Sequence, residues 1–180
     1  MRTYFLGLLL LFSFCAQAQD ASVKWATQET FFEDLIGKDL PDFKGVKTNN
    51  KSFLSTALND QVVVINFWFE KCPPCIAEMP ELDKLVSIYR SKNVRFIGIT
   101  PDSPITAKRF QNRNVYRYEV VSLTKREISR LNINHGFPSN VLVGRDGKII
   151  SAMANISFSE PAFIEKSIAF EEKIKEALLP

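Results

Sequence analysis

The chain has 180 residues, 46% of them hydrophobic and 24% charged, with a formal net charge of +3. These fractions are typical of an ordinary soluble globular domain. So small an excess of positive charge argues against a nucleic-acid partner and against strong attraction to a membrane surface. Composition alone points no further.

The first 18 residues have the pattern of an export signal. After a short basic start, Tyr4–Phe14 is an apolar stretch of signal-peptide length, and Ala16-Gln17-Ala18 provides the small-x-small cleavage pattern. We predict that residues 1–18 are removed and that the mature protein is periplasmic or otherwise extracytoplasmic. The stretch is too short for a stable membrane span, which needs about 20 residues. Lipoprotein anchoring at Cys15 is the weaker alternative, because Phe14 stands where a small residue should precede a lipid-modified cysteine.

A lead-in at residues 19–35 precedes one domain, residues 36–180, and the first half of that domain has the pattern of a βαβ unit. A turn at Thr48–Lys51 separates two short strands. Val62–Phe67 (VVVINF) is a β-branched run typical of a strand buried on both faces. Helical spacing of apolar residues follows over Cys72–Ser91, and Val94–Ile99 (VRFIGI) is a second buried strand. Two such strands joined by a helix should lie parallel.

The second half of the domain completes a mixed sheet. Asp146-Gly147 is a strong hairpin signal between two more strands. The remaining predicted elements are short helices at 104–112 and 125–132, strands at 140–143 and 148–152, and a closing amphipathic helix at 161–179. We therefore expect an α/β fold, with a mixed sheet flanked by helices on both faces.

Cys72 and Cys75, separated by Pro73 and Pro74, are the candidate functional residues. A structural disulfide gains stability from the loop it closes, and a two-residue loop offers almost nothing. A zinc site wants four ligands, and the mature chain has only His135 besides the pair. A redox-active pair is the remaining interpretation.

The local structure expected around the pair favours redox chemistry. At the start of a helix, the Cys72 thiolate would face unpaired backbone N–H groups and the positive end of the helix dipole. This makes Cys72 the expected nucleophile, because the thiolate is the attacking species. Cys75, three positions later on the same helix face, would be the resolving thiol. Pro73 and Pro74 remove amide donors and should shift the redox potential, in a direction that the sequence leaves open.

Three landmarks, in the right order, give the chain a family resemblance. Asn66-Phe67-Trp68 precedes the Cys72–Cys75 motif, and Pro80 follows it as a helix-kinking proline would. Gly37–Phe43 is similar to the opening of a redoxin module, and Gly136-Phe137-Pro138-Ser139 leads into the predicted hairpin. Together they resemble the thioredoxin-fold thiol–disulfide oxidoreductases of the TlpA/ResA type, over roughly residues 36–155.

This resemblance implies a thioredoxin-like fold with an N-terminal extension and a substrate groove. It implies that the Phe137–Pro138 bond is cis, that Pro138 shields the cysteines, and that Phe137 pairs with an extended substrate backbone. Trp68 is expected in the same groove. The implied activity is thiol–disulfide exchange with protein substrates, usually as a reductant, in cytochrome c maturation or general periplasmic thiol reduction. Electrons would come from a membrane-embedded thiol donor, with no metal and no cofactor besides the redox-active disulfide.

Four residues near the pair depart from the family or could tune it. Lys71 stands where the family commonly has tryptophan; it either stabilises the neighbouring thiolate or points into solvent. Glu70 is either a neighbouring acid or an exposed loop charge. Asn66 holds the position of thioredoxin's buried aspartate, and Pro73 that of a glutamate found in ResA-like proteins. With neither acid present, water or another acid must take the proton of the resolving thiol.

Two alternative functions stay open. A peroxiredoxin-like peroxidase needs threonine or serine three residues before its cysteine and proline seven before it, where this chain has Phe69 and Ile65. A copper-delivery module of the Sco type pairs a distant histidine with two cysteines that have three residues between them. Here only two residues lie between the cysteines, and His135 lies in the predicted cis-proline loop.

Overall fold

The computed structural model describes residues 32–114 and 117–179. The predicted signal peptide, the alternative anchor Cys15 and most of the lead-in lie outside the described residues. The bounds of the elements follow the hydrophobic pattern closely. The strands are β1 Lys44–Lys47, β2 Ser52–Leu54, β3 Val62–Phe67, β4 Val94–Thr100, β5 Glu119–Ser122, β6 Ser139–Val143 and β7 Ile149–Met153. The helices are α1 Pro73–Tyr89, α2 Pro104–Asn114, α3 Lys125–Leu131 and α4 Pro161–Ala177, with short 3₁₀ helices at Glu33–Leu35, Ser55–Leu58 and Arg90–Lys92.

The seven strands form one mixed sheet in the order β2-β1-β5-β4-β3-β6-β7. β3 pairs with β4 in parallel, in a register that runs from Val62 opposite Val94 to Phe67 opposite Ile99. β4 also pairs in parallel with β5, whereas β6 is antiparallel to β3 and to β7. The predicted βαβ unit is thus confirmed. β5 was not predicted; its four residues are too few to show a periodic pattern by themselves.

Two hydrophobic clusters cover the two faces of the sheet. Alternate β3 residues separate between them, with Val62 and Val64 on one face and Val63, Ile65 and Phe67 on the other. α1, α2 and α4 pack on the first face. α3 and the first 3₁₀ helix pack on the second face, to which β2 contributes the Phe53 side chain. Both faces are therefore covered by helices, which confirms the predicted thioredoxin-like fold class.

β3 lies inside the sheet and delivers the chain directly to the cysteine pair. All six of its residues are buried, as the near-continuous apolar run predicted. The strand ends at Phe67, and α1 begins at Pro73, after a loop of five residues. The carboxyl ends of the parallel strands β3, β4 and β5 therefore surround the short loop that carries the first cysteine. Within the two described ranges, no helix is long and apolar enough to cross a membrane.

Candidate active site

The cysteine pair occupies the N-terminus of α1. Cys72 is the N-cap residue, and helical geometry starts at Pro73, whose fixed φ and missing N–H suit a first helical position. Cys72 and Cys75 are joined by a disulfide, with their Cα atoms 5.2 Å apart. The Cys75 amide donates a hydrogen bond to Cys72 Sγ at 3.3 Å. The sequence therefore places the helix start where the redox interpretation required it.

The two sulfurs have different surroundings. Cys72 accepts a backbone N–H at the positive end of the helix dipole, and both interactions favour a thiolate once the disulfide is reduced. Both cysteines are buried, and Cys72 lies beside the exposed Pro73 and Pro74. The position of Cys72 at the helix start suits it to attack, and that of Cys75 inside the first turn suits it to resolve.

The loop before Cys72 is held against β4 and α2. The Trp68 amide donates to the Ile99 carbonyl at 3.0 Å, and the Trp68 ring lies 4.9 Å from the Phe110 ring of α2. Trp68 is 0% exposed, because α2 covers it. We expected Trp68 to line the substrate groove. The structure places its side chain beneath the surface, where it packs against α2 under the loop.

The next two loop residues differ in how firmly they are held. The Glu70 amide donates to Asp102 Oδ2 at 2.6 Å, and its carboxylate forms an ion pair with Arg113 of α2 at 2.7 Å. The charge of Glu70 is thus paired, and Glu70 links the loop to α2 and to the segment between β4 and α2. Lys71 is exposed, and the two interpretations of its charge both remain compatible with that position.

The loop containing Pro138 lies against the cysteine loop. The Phe137–Pro138 peptide bond, expected to be cis from the resemblance, is cis in the structure. The Asn132 amide nitrogen donates to the Gly136 carbonyl at 3.1 Å and to Ser139 Oγ at 3.3 Å, which braces this loop from α3. The Phe137 ring meets the Phe69 ring edge to face, with the centroids 5.2 Å apart. Phe137 and Phe69 are both partly exposed, so together they form an aromatic wall beside the pair.

Glu78 is a buried acid that the sequence interpretation missed. It lies on α1 one turn after Cys75 and is 1% exposed. Its carboxylate accepts hydrogen bonds from Asn66 Nδ2 at 2.7 Å, from Asn140 Nδ2 at 2.9 Å and from the Ile156 amide at 2.9 Å. Desolvation by burial raises the pKa of Glu78 to about 8, and the three hydrogen bonds only partly oppose that rise.

The position of Glu78 changes the interpretation of Asn66. Asn66 cannot accept a proton as a base, but it donates to an acid that can. Residues three apart on a helix have Cβ atoms about 5–6 Å apart, so Glu78 lies near Cys75 on the buried face of the helix. One signal was available in the sequence: Glu78 shares helical spacing with Cys75, Leu82 and Leu85, all buried. An acid on that apolar stripe predicts an unusual environment.

His135 lies at the far end of the Pro138 loop and is engaged by the segment before the sheet. Its Nε2 is 2.7 Å from Asp34 Oδ1, and its ring centroid is 4.7 Å from that of Phe32. These two contacts join the Pro138 loop to the lead-in. Among the residues that the structure describes, no cluster of three or more His, Cys, Asp or Glu side chains could hold a metal ion.

Comparison with known proteins places this site in a family. The AhpC/TSA family model matches residues 36–152. The thiol–disulfide oxidoreductase ResA of Bacillus thuringiensis (strain Al Hakam) is 28% identical over 134 residues, which cover 72% of this chain and 78% of that protein. The ResA of Geobacillus thermodenitrificans is 24% identical over 154 residues, with 83% of each chain covered.

A solved structure shares the fold. The thiol:disulfide interchange protein, thioredoxin family protein from Chlorobium tepidum superposes with a TM-score of 0.63 at 23% identity, covering 79% of this chain and 97% of that one. This likeness shows the fold, and the family match covers the cysteine pair, the buried Glu78 and the Pro138 loop in one segment. The chain belongs to the AhpC/TSA family and is, within it, a thiol–disulfide oxidoreductase.

Proposed function

We propose that the protein is an exported reductant of disulfide bonds in other proteins, with Cys72 as nucleophile and Cys75 as resolving thiol. The observation that carries this assignment is the asymmetry of the pair. Cys72 Sγ accepts the Cys75 amide at the helix start, while Cys75 is buried on α1 three residues before the buried Glu78. The relatives named thiol–disulfide oxidoreductase ResA support the same chemistry.

The exchange proceeds in two balanced steps. The Cys72 thiolate attacks one sulfur of a substrate disulfide, forms a mixed disulfide and releases the other sulfur as a thiolate. Cys75 then loses its proton and attacks Cys72 Sγ; the second substrate sulfur leaves and takes up a proton. Two electrons pass to the substrate, and the protein ends with the Cys72–Cys75 disulfide present in the structure.

Glu78 is the acceptor that we assign to the Cys75 proton. Its raised pKa of about 8 makes the Glu78 carboxylate a stronger base than an ordinary glutamate. It can therefore take up the Cys75 proton near neutral pH. In the reverse step, in which a donor regenerates the dithiol, the protonated carboxyl would return that proton.

The substrate groove in this proposal lies between the cysteine loop and the Pro138 loop. The backbone before Pro138 would pair with an extended substrate segment, as in other cases of strand addition. The partly exposed rings of Phe69 and Phe137 would flank the substrate cysteine. Lys71, exposed beside the nucleophile, would lower the pKa of the Cys72 thiol if its ammonium approaches the sulfur.

The direction and location of the reaction complete the proposal. Reduction in an oxidising compartment requires a continuous supply of electrons, for which we propose a membrane-embedded thiol donor. The expected leader at residues 1–18 would deliver the protein to that compartment. Apocytochrome c and other exported proteins with paired cysteines are the client class.

The leader-free protein tests this proposal. It should cycle between dithiol and disulfide and reduce insulin disulfides, and Cys72→Ser should abolish the reduction. Cys75→Ala should trap clients on Cys72 as mixed disulfides, while the alkylation rate of Cys72 stays near that of the reduced wild-type protein. A protein in which Cys75→Ala traps nothing, or in which Cys72→Ser retains turnover, would contradict the roles given to the two cysteines.

The same preparation separates the two alternatives. A peroxidase would need a polarising hydroxyl near the nucleophile, and the aligned positions hold the aromatic Phe69 and the buried Ile65 of β3. Rapid turnover of peroxide without disulfide exchange would nevertheless overturn the proposal. Stoichiometric copper binding without turnover would also overturn the proposal. His135, the histidine that a copper site would need, has its Nε2 within hydrogen-bond distance of Asp34.

A further inference from the structure

A chain of hydrogen bonds links the buried Glu78 to a tyrosine outside the helix that carries it. Asn66 Nδ2 donates to Glu78 Oε1 at 2.7 Å and to Asn140 Oδ1 at 2.9 Å. Asn66 Oδ1 accepts a hydrogen bond from the Tyr118 hydroxyl at 3.1 Å. Both ends of the Asn66 amide are therefore engaged, and each end has a partner of the correct type.

Asn140 repeats the arrangement from the neighbouring strand. It lies opposite Asn66 in the antiparallel pairing of β3 and β6. Its amide nitrogen donates to Glu78 Oε2 at 2.9 Å and to the Ala154 carbonyl at 2.6 Å. Each amide nitrogen thus has a second acceptor besides the carboxylate, the Ala154 carbonyl for Asn140 and Asn140 Oδ1 for Asn66, so both amides present nitrogen to Glu78.

Packing holds Tyr118 in place for this contact. The residue is 6% exposed, immediately before β5. Gln111 Nε2 donates to its carbonyl at 2.9 Å, and its ring lies 6.4 Å from that of Phe96. The Tyr118 phenol oxygen thus contacts Asn66 from the segment just before β5, far along the chain from the two cysteines.

We propose that Tyr118 is a positioning residue for the proton-transfer step: its hydroxyl donates to Asn66 Oδ1 and so strengthens the hydrogen bond that Asn66 Nδ2 donates to Glu78. This inference rests on the proposed role of Glu78. Asn66 Nδ2 keeps two acceptors, Glu78 Oε1 and Asn140 Oδ1, so the amide keeps its orientation when the hydroxyl is removed. Without the hydroxyl, the bond from Asn66 to Glu78 weakens, because hydrogen bonds in a chain polarise one another.

The direction of the effect follows from which form of Glu78 the donors favour. Hydrogen bonds donated to a carboxylate stabilise its charged form and lower its pKa. Losing part of that stabilisation leaves less ionised Glu78 at neutral pH to accept the Cys75 proton. Among the described residues, the titratable groups nearest the cluster are Cys75, three residues before Glu78 on α1, and the phenol of Tyr118, whose replacement by phenylalanine introduces no charge.

Stopped-flow mixing of the reduced protein with a small aromatic disulfide isolates the step. The first phase, proportional to reagent, is attack by Cys72; the second, independent of reagent, is attack by Cys75. We expect Tyr118→Phe to slow the second phase roughly two- to tenfold at neutral pH, the range of one hydrogen bond. Its pH profile should move upward by roughly 0.3 to 1 pH unit, while the first phase is unchanged.

Two controls make the result specific. Tyr89→Phe also removes a hydroxyl, one that donates to Glu171 at 2.7 Å on the α4 side of α1, and it should leave both phases unchanged. In a Glu78→Gln background, Tyr118→Phe should cause no further slowing. Equal second-phase profiles in Tyr118→Phe and Tyr89→Phe, or slowing that persists without Glu78, would overturn the inference.

A direct titration keeps the inference testable if Tyr118→Phe loosens the fold. The infrared band of the protonated Glu78 carboxyl, identified by its loss in Glu78→Gln, should titrate at higher pH in Tyr118→Phe than in the wild-type protein. An unmoved midpoint would overturn the role of Tyr118. If Glu78→Gln itself leaves the second phase unchanged, the role of Glu78 in the proposed function fails instead.

Discussion

Replacing Glu78 by glutamine should remove a large pH dependence of stability. The Glu78 carboxyl has a pKa of about 8 in the folded protein, whereas its ordinary value is 4.5. Below the lower value it is protonated in both states. As the pH rises between the two values, the unfolded chain ionises while the folded protein keeps its proton, so stability falls until the pH passes the folded pKa.

The size of that loss follows from the same two values. Each pH unit between them corresponds to about 1.4 kcal/mol, so the wild-type protein should lose on the order of 5 kcal/mol through this group. Glutamine does not ionise, and it leaves a backbone or amide donor without its acceptor, at a cost of about 1–3 kcal/mol at every pH. The variant should therefore be less stable than wild type near pH 5 and equally or more stable above pH 8.

Urea unfolding of the oxidised protein at several pH values measures this difference. Glu81→Gln is the matched control, because Glu81 lies on the same helix and pairs with Lys84 at 3.0 Å. The free energy of unfolding of the control should follow the wild-type pH dependence much more closely. Parallel curves for wild type and Glu78→Gln across the whole range would refute the reasoning that burial dominates the protonation of Glu78.

Three further substitutions test the surroundings of the pair. Phe110→Ala should destabilise the protein by about 3–5 kcal/mol, because Phe110 packs on Trp68 at 4.9 Å; unfolding followed by tryptophan fluorescence measures this, and an unchanged midpoint contradicts it. Asn132→Ala should lose about 1–3 kcal/mol and slow insulin reduction, because the Pro138 loop loses its brace; wild-type reduction rates would show that the brace is dispensable. Arg113→Gln should change stability by less than about 1 kcal/mol, since its ion pair is partly exposed; a larger loss in urea unfolding would show that the link from α2 to the loop is structural.

Much of the fold could be predicted because local patterns and tertiary packing agree. The apolar run Val62–Phe67 could be only a buried strand, and it became β3 with the bounds predicted. The hairpin at Asp146-Gly147 connects β6 and β7 as expected. β5 escaped prediction because four residues carry too little periodicity, and its place beside β4 is decided by pairing with a distant strand.

The site was predictable where it depends on neighbours in sequence and unpredictable where it depends on packing. The position of Cys72 at a helix start follows from local spacing and from proline at the first helical position. The burial of Trp68 does not, because it depends on α2, whose Phe110 lies far along the chain. For the same reason Glu70 could be interpreted as an exposed charge, although Arg113 pairs with it.

The sequence by itself indicated disulfide exchange, since two cysteines separated by two residues at a helix start favour that chemistry. Only the tertiary structure brought a candidate acceptor for the proton of the second cysteine into place. Glu78 has a raised pKa because the fold buries it, and Asn66 and Asn140 face it because β3 and β6 pair in one register. Desolvation and hydrogen bonding depend on residues brought together from distant parts of the chain, and a local pattern does not contain them.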